Sequence, residues 1–344
     1  MQPISHNPLQ GKNVVLGVTG SIAAYKAADV ASKLVQAGAS VDVIMTTSAT
    51  TFVGTATFEA LTHRPVTTGL WQARSELNMD HVALALQADC VLIAPATANT
   101  LAKLALGIAD DPLTATVLAT EAPVIIAPAM YADMFGSPST QRNVNTLVED
   151  GAIIAGPANG RLASGLLGKG RLVETHVLEG LVRQAIGRHG DYSDRRVIVS
   201  AGGTRQPIDP VRFISNRSTG KMGHRIAEAA RDRGADVLLI TASDLPYPSG
   251  VEVVKAMTVE EMRDAIVPSS SEADLLIMAA AISDFTPAQV SDQKIKKQGQ
   301  PETSLKLVEV EDFMPLAKGR KPVSYTHLRA HETEADLVCR LLLE

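Results

Sequence analysis

A chain of 344 residues, 45% hydrophobic and 20% charged, is long enough for two domains of ordinary size, each burying its own core. Its net charge of -5, with 37 Asp+Glu against 32 Lys+Arg, argues against a nucleic-acid binder, which needs a clustered basic surface to neutralise phosphates. The two cysteines, Cys90 and Cys339, form neither a disulfide framework nor a C-x-x-C pair, so small-molecule chemistry in a reducing cytoplasm is expected.

Residues 1–12 are polar, carry Pro3 and Pro8, and lack the apolar core of a signal peptide. No apolar run approaches the roughly 20 residues that span a bilayer, so a soluble protein with no membrane partner is expected. Few aromatics and abundant Ala, Val, Leu and Ile suit buried parallel strands covered by helices.

The first half alternates short apolar runs with helical patterns, as β-α-β units do. Strands are predicted at 14–18, 41–45, 90–94, 124–127 and 152–155, with an Ala-rich helix over 23–37 ended by Gly38. A polar, irregular stretch near 187–196 marks the domain boundary. The pattern then restarts with strands at 196–200, 237–241 and 275–279, helices near 223–233 and 259–267, and one further strand at 304–310. The expected fold is α/β: a flavodoxin-like or Rossmann-like doubly wound parallel sheet over residues 1–188, a second Rossmann-like domain over 195–322, incomplete, and a foreign-looking tail at 323–344.

In open parallel sheets the ligand crevice lies at the carboxyl ends of the strands, so the loops there carry the functional reading. GVTGSIAAYKA, from Gly17, sits where a strand turns into a helix, and its backbone N–H groups suit a phosphate beside Gly20, Ser21, Ile22 and Ala23. Thr19 stands where the dinucleotide fingerprint needs a glycine, and the second strand runs into Thr46-Thr47-Ser48 instead of a ribose-binding acid. A mononucleotide is therefore preferred over NAD. The loops APATANT (Pro95, Ala96, Thr97, Asn99) and APAM (Ala129, Met130) complete one crevice, with room for a flat ring and an amide for its edge.

GSIAAYK, PATANT and PAM, with His81 ahead of the third strand, resemble the flavin-containing cysteine decarboxylase family. The resemblance implies FMN as cofactor: FMN oxidises a cysteine-derived thiol, carbon dioxide is lost, and the reduced flavin returns the electrons. His81 matches the catalytic histidine of that family. Two positions depart from its pattern. Tyr131 stands where an Asn of a PAMN clamp is usual, and Ser164, ahead of Gly168-Lys169-Gly170-Arg171, stands where a flap cysteine donates a proton. A serine hydroxyl is a far weaker acid than a thiol, so the reductive step is expected to be impaired or to use another donor.

In the second half, SAGGTRQPIDPVRFISNRSTGKMG starts at Ser200. It is not a Walker A loop, because Met222 follows Lys221 where Ser or Thr would hold magnesium. It still supplies Gly202, Gly203, Gly220 and Gly223 for backbone approach, and Arg205, Arg212, Arg217 and Lys221 for phosphates. The segment, with AAAISDF and QKIKK further on, resembles the phosphopantothenate–cysteine ligase domain. That resemblance implies activation of a carboxylate by CTP and Mg2+, with Asn216 handling the acyl-cytidylate, Ala280, Asp284 and Lys294 contacting CTP, and Lys294 stabilising the departing pyrophosphate.

A flavin decarboxylase domain followed by this ligase domain is the arrangement of a bifunctional family of coenzyme A biosynthesis. The resemblance implies homo-oligomers, with trimeric flavin domains and dimeric ligase domains. The alternative is a ligase whose flavin domain is a non-catalytic FMN-binding regulatory or assembly module. His327 and His331 in the tail have a zinc-like i, i+4 spacing but no third ligand nearby, so no metal site is expected there. The tail itself looks like translated sequencing adapter.

Overall fold

Val14, Leu16 and Val18 turn to one side of the first strand and Val15 to the other, and all four are buried, which requires a layer of helices on both faces. The computed structural model, which describes residues 7–70, 80–163, 165–296 and 303–317, has that architecture in two compact units divided between Gly187 and Arg188. Ser164 and the whole tail, with His327 and His331, lie outside the described residues.

In the first unit, β1 (Asn13–Val18), β2 (Ser40–Met45), β3 (Cys90–Ala96), β4 (Val124–Pro128) and β5 (Ile153–Ile154) form a parallel sheet in the order β2-β1-β3-β4-β5. This is the flavodoxin-like order, whose topological switch point lies between β1 and β3. One face packs on α1 (Lys26–Gln36), α2 (Thr55–Thr62) and α8 (Thr175–Gly187) through Val30, Leu34, Phe58, Leu178 and Val182. The other face packs on α3 (Asp80–Gln87), α4 (Ala98–Ala105), α5 (Pro112–Ala119) and α7 (Pro138–Glu149) through Leu84, Leu101, Leu113 and Leu147. A short α6 (Ala132–Gly136) precedes α7, and the antiparallel hairpin β6 (Ala158–Arg161) and β7 (Leu167–Arg171) follows β5.

The Ala-rich run expected as one helix is divided: a 3₁₀ turn, Ile22–Tyr25, precedes α1. Ser21 causes the tighter start, since its hydroxyl accepts from the Ala23 N–H. At the far end, Gly38 N–H bonds Val35 O and Ala39 N–H bonds Leu34 O, the paired bonds of a Schellman cap.

The second unit is a four-stranded parallel sheet in the order β12-β11-β8-β13, built from β8 (Arg196–Ala201), β11 (Asp236–Thr241), β12 (Glu252–Lys255) and β13 (Leu275–Met278). Helices α9 (Lys221–Asp232) and α10 (Val259–Ser270) cover opposite faces, α9 through Ile226 and Ala230 and α10 through Met262 and Ile266. The segment after β8 contains the hairpin β9 (Arg205–Pro207) and β10 (Phe213–Ser215), and β14 (Phe285–Pro287) pairs with β15 (Leu307–Glu309).

His224, in the first turn of α9, is buried with Nε2 3.4 Å from Thr241 Oγ1. Burial pushes its pKa below the ordinary histidine value of 6.5. The folded unit therefore favours the neutral ring, the unfolded chain binds more protons below pH 6.5, and stability must fall as pH drops from 6.5 towards the folded pKa. Urea melts at pH 7.5 and 5.5 check this: wild type should lose more stability on acidification than His224→Gln, and equal losses would refute it.

Candidate active sites

The loops at the carboxyl edge of the first sheet are tied together across the switch point. Thr19, 1% exposed, donates from Oγ1 to Pro95 O (2.7 Å) and accepts from Thr97 N–H (3.1 Å), joining the loop after β1 to the loop after β3. Ser21 Oγ donates to Ala129 O (3.1 Å), and Ala129 N–H donates to Ala96 O (3.0 Å), so the loop after β4 is held by both of the others. Ser21, Pro95, Ala96, Thr97, Ala129 and Met130 thus come from three strand ends into one crevice. Thr97 caps α4 through the Thr100 N–H, leaving Asn99 exposed on the first turn.

Thr46 follows β2, where its N–H donates to Val18 O (3.0 Å) and its Oγ1 accepts from Ala49 N–H (3.3 Å). Its loop presses against the first turn: a Cβ on Gly20 would collide with Ser48 Cβ. Gly20 therefore lacks a side chain to admit Ser48.

The crevice suits a flavin mononucleotide. Its rim offers the hydroxyls of Ser21, Thr46 and Thr97 and the starts of the 3₁₀ turn and of α4. Neither start carries an acidic residue in its first turn, so nothing there repels a phosphate dianion. Ile22, 61% exposed, and the small buried Ala96 and Ala129 supply an apolar lining.

The hairpin β6–β7 carries the Gly168-Lys169-Gly170-Arg171 run expected in a flap and adds a wall whose strands the sequence does not show. Met130 N–H donates to Gly170 O (3.0 Å), Gly168 lies against Ala132, and Lys169 Nζ stands 5.5 Å from the Phe135 ring centroid. Tyr131, 38% exposed, begins α6 between this wall and the loop after β4. The only signal was the Gly-x-Gly-Arg text, whose glycines are demanded by close backbone approach.

His81 lies in the first turn of α3, and a helix that precedes a parallel strand starts at the carboxyl edge of the sheet. Its carbonyl accepts from Thr116 Oγ1 (3.3 Å) of α5. Among the described residues no hydrogen bond joins its ring to the crevice loops. Cys90 is buried within β3, and burial followed by the charge of Asp89 pushes its thiol up to about 12, so it is a packing residue and no nucleophile.

In the second unit the loop after β8 meets the loop after β13. Gly203 bridges Ala281, Thr204 N–H donates to Ala281 O, and the hydroxyls of Thr204 and Ser283 lie 3.1 Å apart. Asn216 Nδ2 donates to Ile282 O (3.0 Å), and Ala280 N–H donates to Ser200 Oγ (3.1 Å), so Asn216 and Ala280 share this junction. Asp284 follows directly, exposed, its carbonyl accepting from Val310 N–H. The start of α9, with Lys221 and no acid in its first turn, lies at the end of β8.

A Cβ on Gly203 would lie 2.7 Å from Asn216 O, and one on Gly223 2.7 Å from Ser200 O, so backbone packing alone requires glycine at both positions. Arg205 pairs with Asp244 (2.6 Å) and lies over Phe213, and Arg212 pairs with Asp209, so neither is a free phosphate ligand; Arg217 and Lys221 are exposed. Lys294 is exposed on the strap 291–296 that reaches back to the β9–β10 hairpin, where Ser291 N–H donates to Ile208 O (3.0 Å) and Ile295 is bonded to Asp209 and Arg212.

Comparison with known proteins is consistent with both halves. The Flavoprotein family model matches residues 3–187, and the DNA/pantothenate metabolism flavoprotein C-terminal domain matches residues 192–334. The coenzyme A biosynthesis bifunctional protein CoaBC of Mycobacterium tuberculosis (strain ATCC 25618 / H37Rv) is 46% identical over 309 residues, covering 88% of this chain and 73% of that protein. Its namesake in Bacillus subtilis (strain 168) is 45% identical over 294 residues, covering 84% and 72%. A solved PPC decarboxylase mutant complexed with pantothenoylaminoethenethiol aligns at a TM-score of 0.47 and 31% identity, over 51% of this chain and 97% of that one. With both domains matched in order and close to half of the residues identical to relatives along most of its length, the chain belongs to the coenzyme A biosynthesis bifunctional protein family.

Proposed function

We propose that the chain acts at two consecutive steps of coenzyme A biosynthesis: CTP-dependent ligation of 4'-phosphopantothenate with cysteine in the second unit, then FMN-dependent decarboxylation of 4'-phosphopantothenoylcysteine to 4'-phosphopantetheine in the first. The observation that carries this reading is the junction of three strand-end loops through Thr19, Ser21 and Ala129 at the β1/β3 switch point. FMN, when bound, accepts and returns the electron pair of the substrate thiol. Ser21, Ile22, Ala23 and Thr46 hold its phosphate, Thr97 and Asn99 meet polar ring or ribose groups, and His81 moves the substrate proton. In the second unit Asn216, Ala280 and Asp284 orient the nucleotide and the activated carboxylate. Lys294 neutralises the triphosphate as pyrophosphate leaves, with Mg2+ accompanying CTP.

The reading places the protein in the cytoplasm as a homo-oligomer of trimeric flavin and dimeric ligase units. Among the described residues no helix is long and apolar enough to cross a membrane. Purified protein should show flavin absorbance, release carbon dioxide from phosphopantothenoylcysteine, and release pyrophosphate from CTP in the presence of phosphopantothenate. His81→Asn should keep the flavin spectrum and lose carbon dioxide release by about 10²–10⁴-fold, the scale of general acid–base catalysis. No flavin after reconstitution with FMN would sink the assignment of the first unit.

A second reading is favoured by Tyr131 and Ser164, the two departures from the decarboxylase pattern. In it the first unit binds FMN as a regulatory or assembly module beside a working ligase. Flavin absorbance without carbon dioxide release in the unaltered chain selects it.

A further inference from the structure

The strap 291–296 carries Lys294 and is not anchored by its own side chains: Lys294 and Lys296 are exposed, and Ile295 is 44% exposed. It is held through its backbone: Ser291 N–H donates to Ile208 O (3.0 Å), and the ion pair of buried Asp209 with half-exposed Arg212 grips Ile295. Asp209 sits in the turn of the β9–β10 hairpin with its carboxylate fully buried. Its Oδ1 accepts from Val211 N–H (2.9 Å) and Arg212 N–H (2.8 Å), which closes the turn. Its Oδ2 accepts from Arg212 Nε (2.9 Å) and Nη2 (2.5 Å), and also from Ile295 N–H (3.1 Å). Arg212 Nη2 in turn donates to Ile295 O (2.6 Å). Both backbone polar groups of the residue next to Lys294 are therefore gripped by the same pair.

We infer that Asp209, acting with Arg212, is the positioning residue that sets Lys294 for the nucleotide triphosphate. The inference rests on the reading of Lys294 as a CTP contact and adds what holds it there. A charged pair suits the task, since charge-assisted hydrogen bonds are short and directional and a buried carboxylate meeting several donors stays ionised. The Arg212 guanidinium, with the N–H groups of Val211, Ile295 and Arg212, holds the Asp209 carboxyl well below the usual carboxylate range against the opposing effect of burial. A lysine on a flexible stem contributes only as far as its backbone is held, so losing the grip should disorder the charge without removing it.

Two measurements on the intact chain test this. Amide exchange reads the grip: Asp209→Asn should speed exchange at Ile295 while leaving Val199 in β8 slow, which also certifies the fold. Titration with CTP and Mg2+ reads the purpose. Asp209→Asn should weaken binding about tenfold, Lys294→Ala by at least as much, and the double variant no more than Lys294→Ala alone, since residues acting as one unit are not additive. Additive losses in the double variant, or unchanged exchange at Ile295, overturn the proposal. If Lys294→Ala binds CTP like wild type, or the unaltered chain binds none, the underlying reading of Lys294 fails and takes the proposal with it. That failure is told apart by an Ile295 amide that still responds to Asp209→Asn.

Discussion

Replacing Thr19 by Val is expected to destabilise the first unit by about 2–6 kcal/mol, the cost of leaving a buried carbonyl and a part-buried N–H without partners at ~1–3 kcal/mol each. Val matches Thr in shape, so no cavity and no clash confuses the result. What disappears is one hydroxyl that donates to Pro95 O and accepts from Thr97 N–H in a site 1% exposed to solvent. For a unit of this size, about 2–4 °C per kcal/mol translates into a fall in thermal midpoint of about 4–24 °C. Flavin affinity should fall as well, because Thr97 is then free to drift from the first turn. Thr19→Ser, which keeps the hydroxyl, is the control and should retain most of both. A melt and an FMN titration of the three proteins decide it. A Val variant as stable as wild type would mean that the loops after β1 and β3 are held together by packing alone.

Thr19 also illustrates what could be read in the chain and what could not. In the text it was a reason against a dinucleotide, a residue standing where glycine was needed. In the fold it is the staple of the crevice, a role visible only once β1 and β3 are known to be neighbours. The strands themselves were legible because parallel strands buried on both faces leave continuous apolar runs, as in Val91, Leu92 and Ile93. The loops were legible because Pro, Thr and Asn cluster after each run. The hairpins were not: β6 is Ala-Asn-Gly-Arg and β9 is Arg-Gln-Pro, too short and too polar to show a period of two. Helix α5 escaped for the opposite reason, being buried along Pro112–Thr116 and so lacking an amphipathic stripe. Glycines and arginines have neighbours in the fold that a sequence does not show. A sequence shows that Gly20 lacks a side chain and that Arg212 has a charge. It does not show that Ser48 already fills the first space or that Asp209 already meets the second charge.

Gly170→Ala is expected to lower carbon dioxide release about 10²-fold, the scale on which a displacement of about 1 Å in a catalytic wall acts. The added methyl would fall inside the contact distance of Met130 O and 3.3 Å from Ala132 N, so one partner must retreat. Met130 is poorly placed to do so, because Ala129 before it is tied to Ala96 O and to Ser21 Oγ. The hairpin is freer. Its tip carries Leu166 and Leu167 already exposed, and it is held to the loop after β4 by the Met130 N–H and the Lys169–Phe135 contact, so lifting it uncovers little new apolar surface. The thermal midpoint should therefore change by no more than about 2 °C, as for a surface substitution, while the Met130 amide exchanges faster and activity falls. Gly168→Ala should act in the same direction but less, since its methyl would lie 2.8 Å from Ala132 Cβ, a side chain on the short α6 instead of a fixed carbonyl. The order Gly170 above Gly168 identifies the Met130 carbonyl as the stop against which the wall closes. Wild-type activity in Gly170→Ala, or a fall in midpoint that matches the fall in rate, would remove the wall from the catalytic unit.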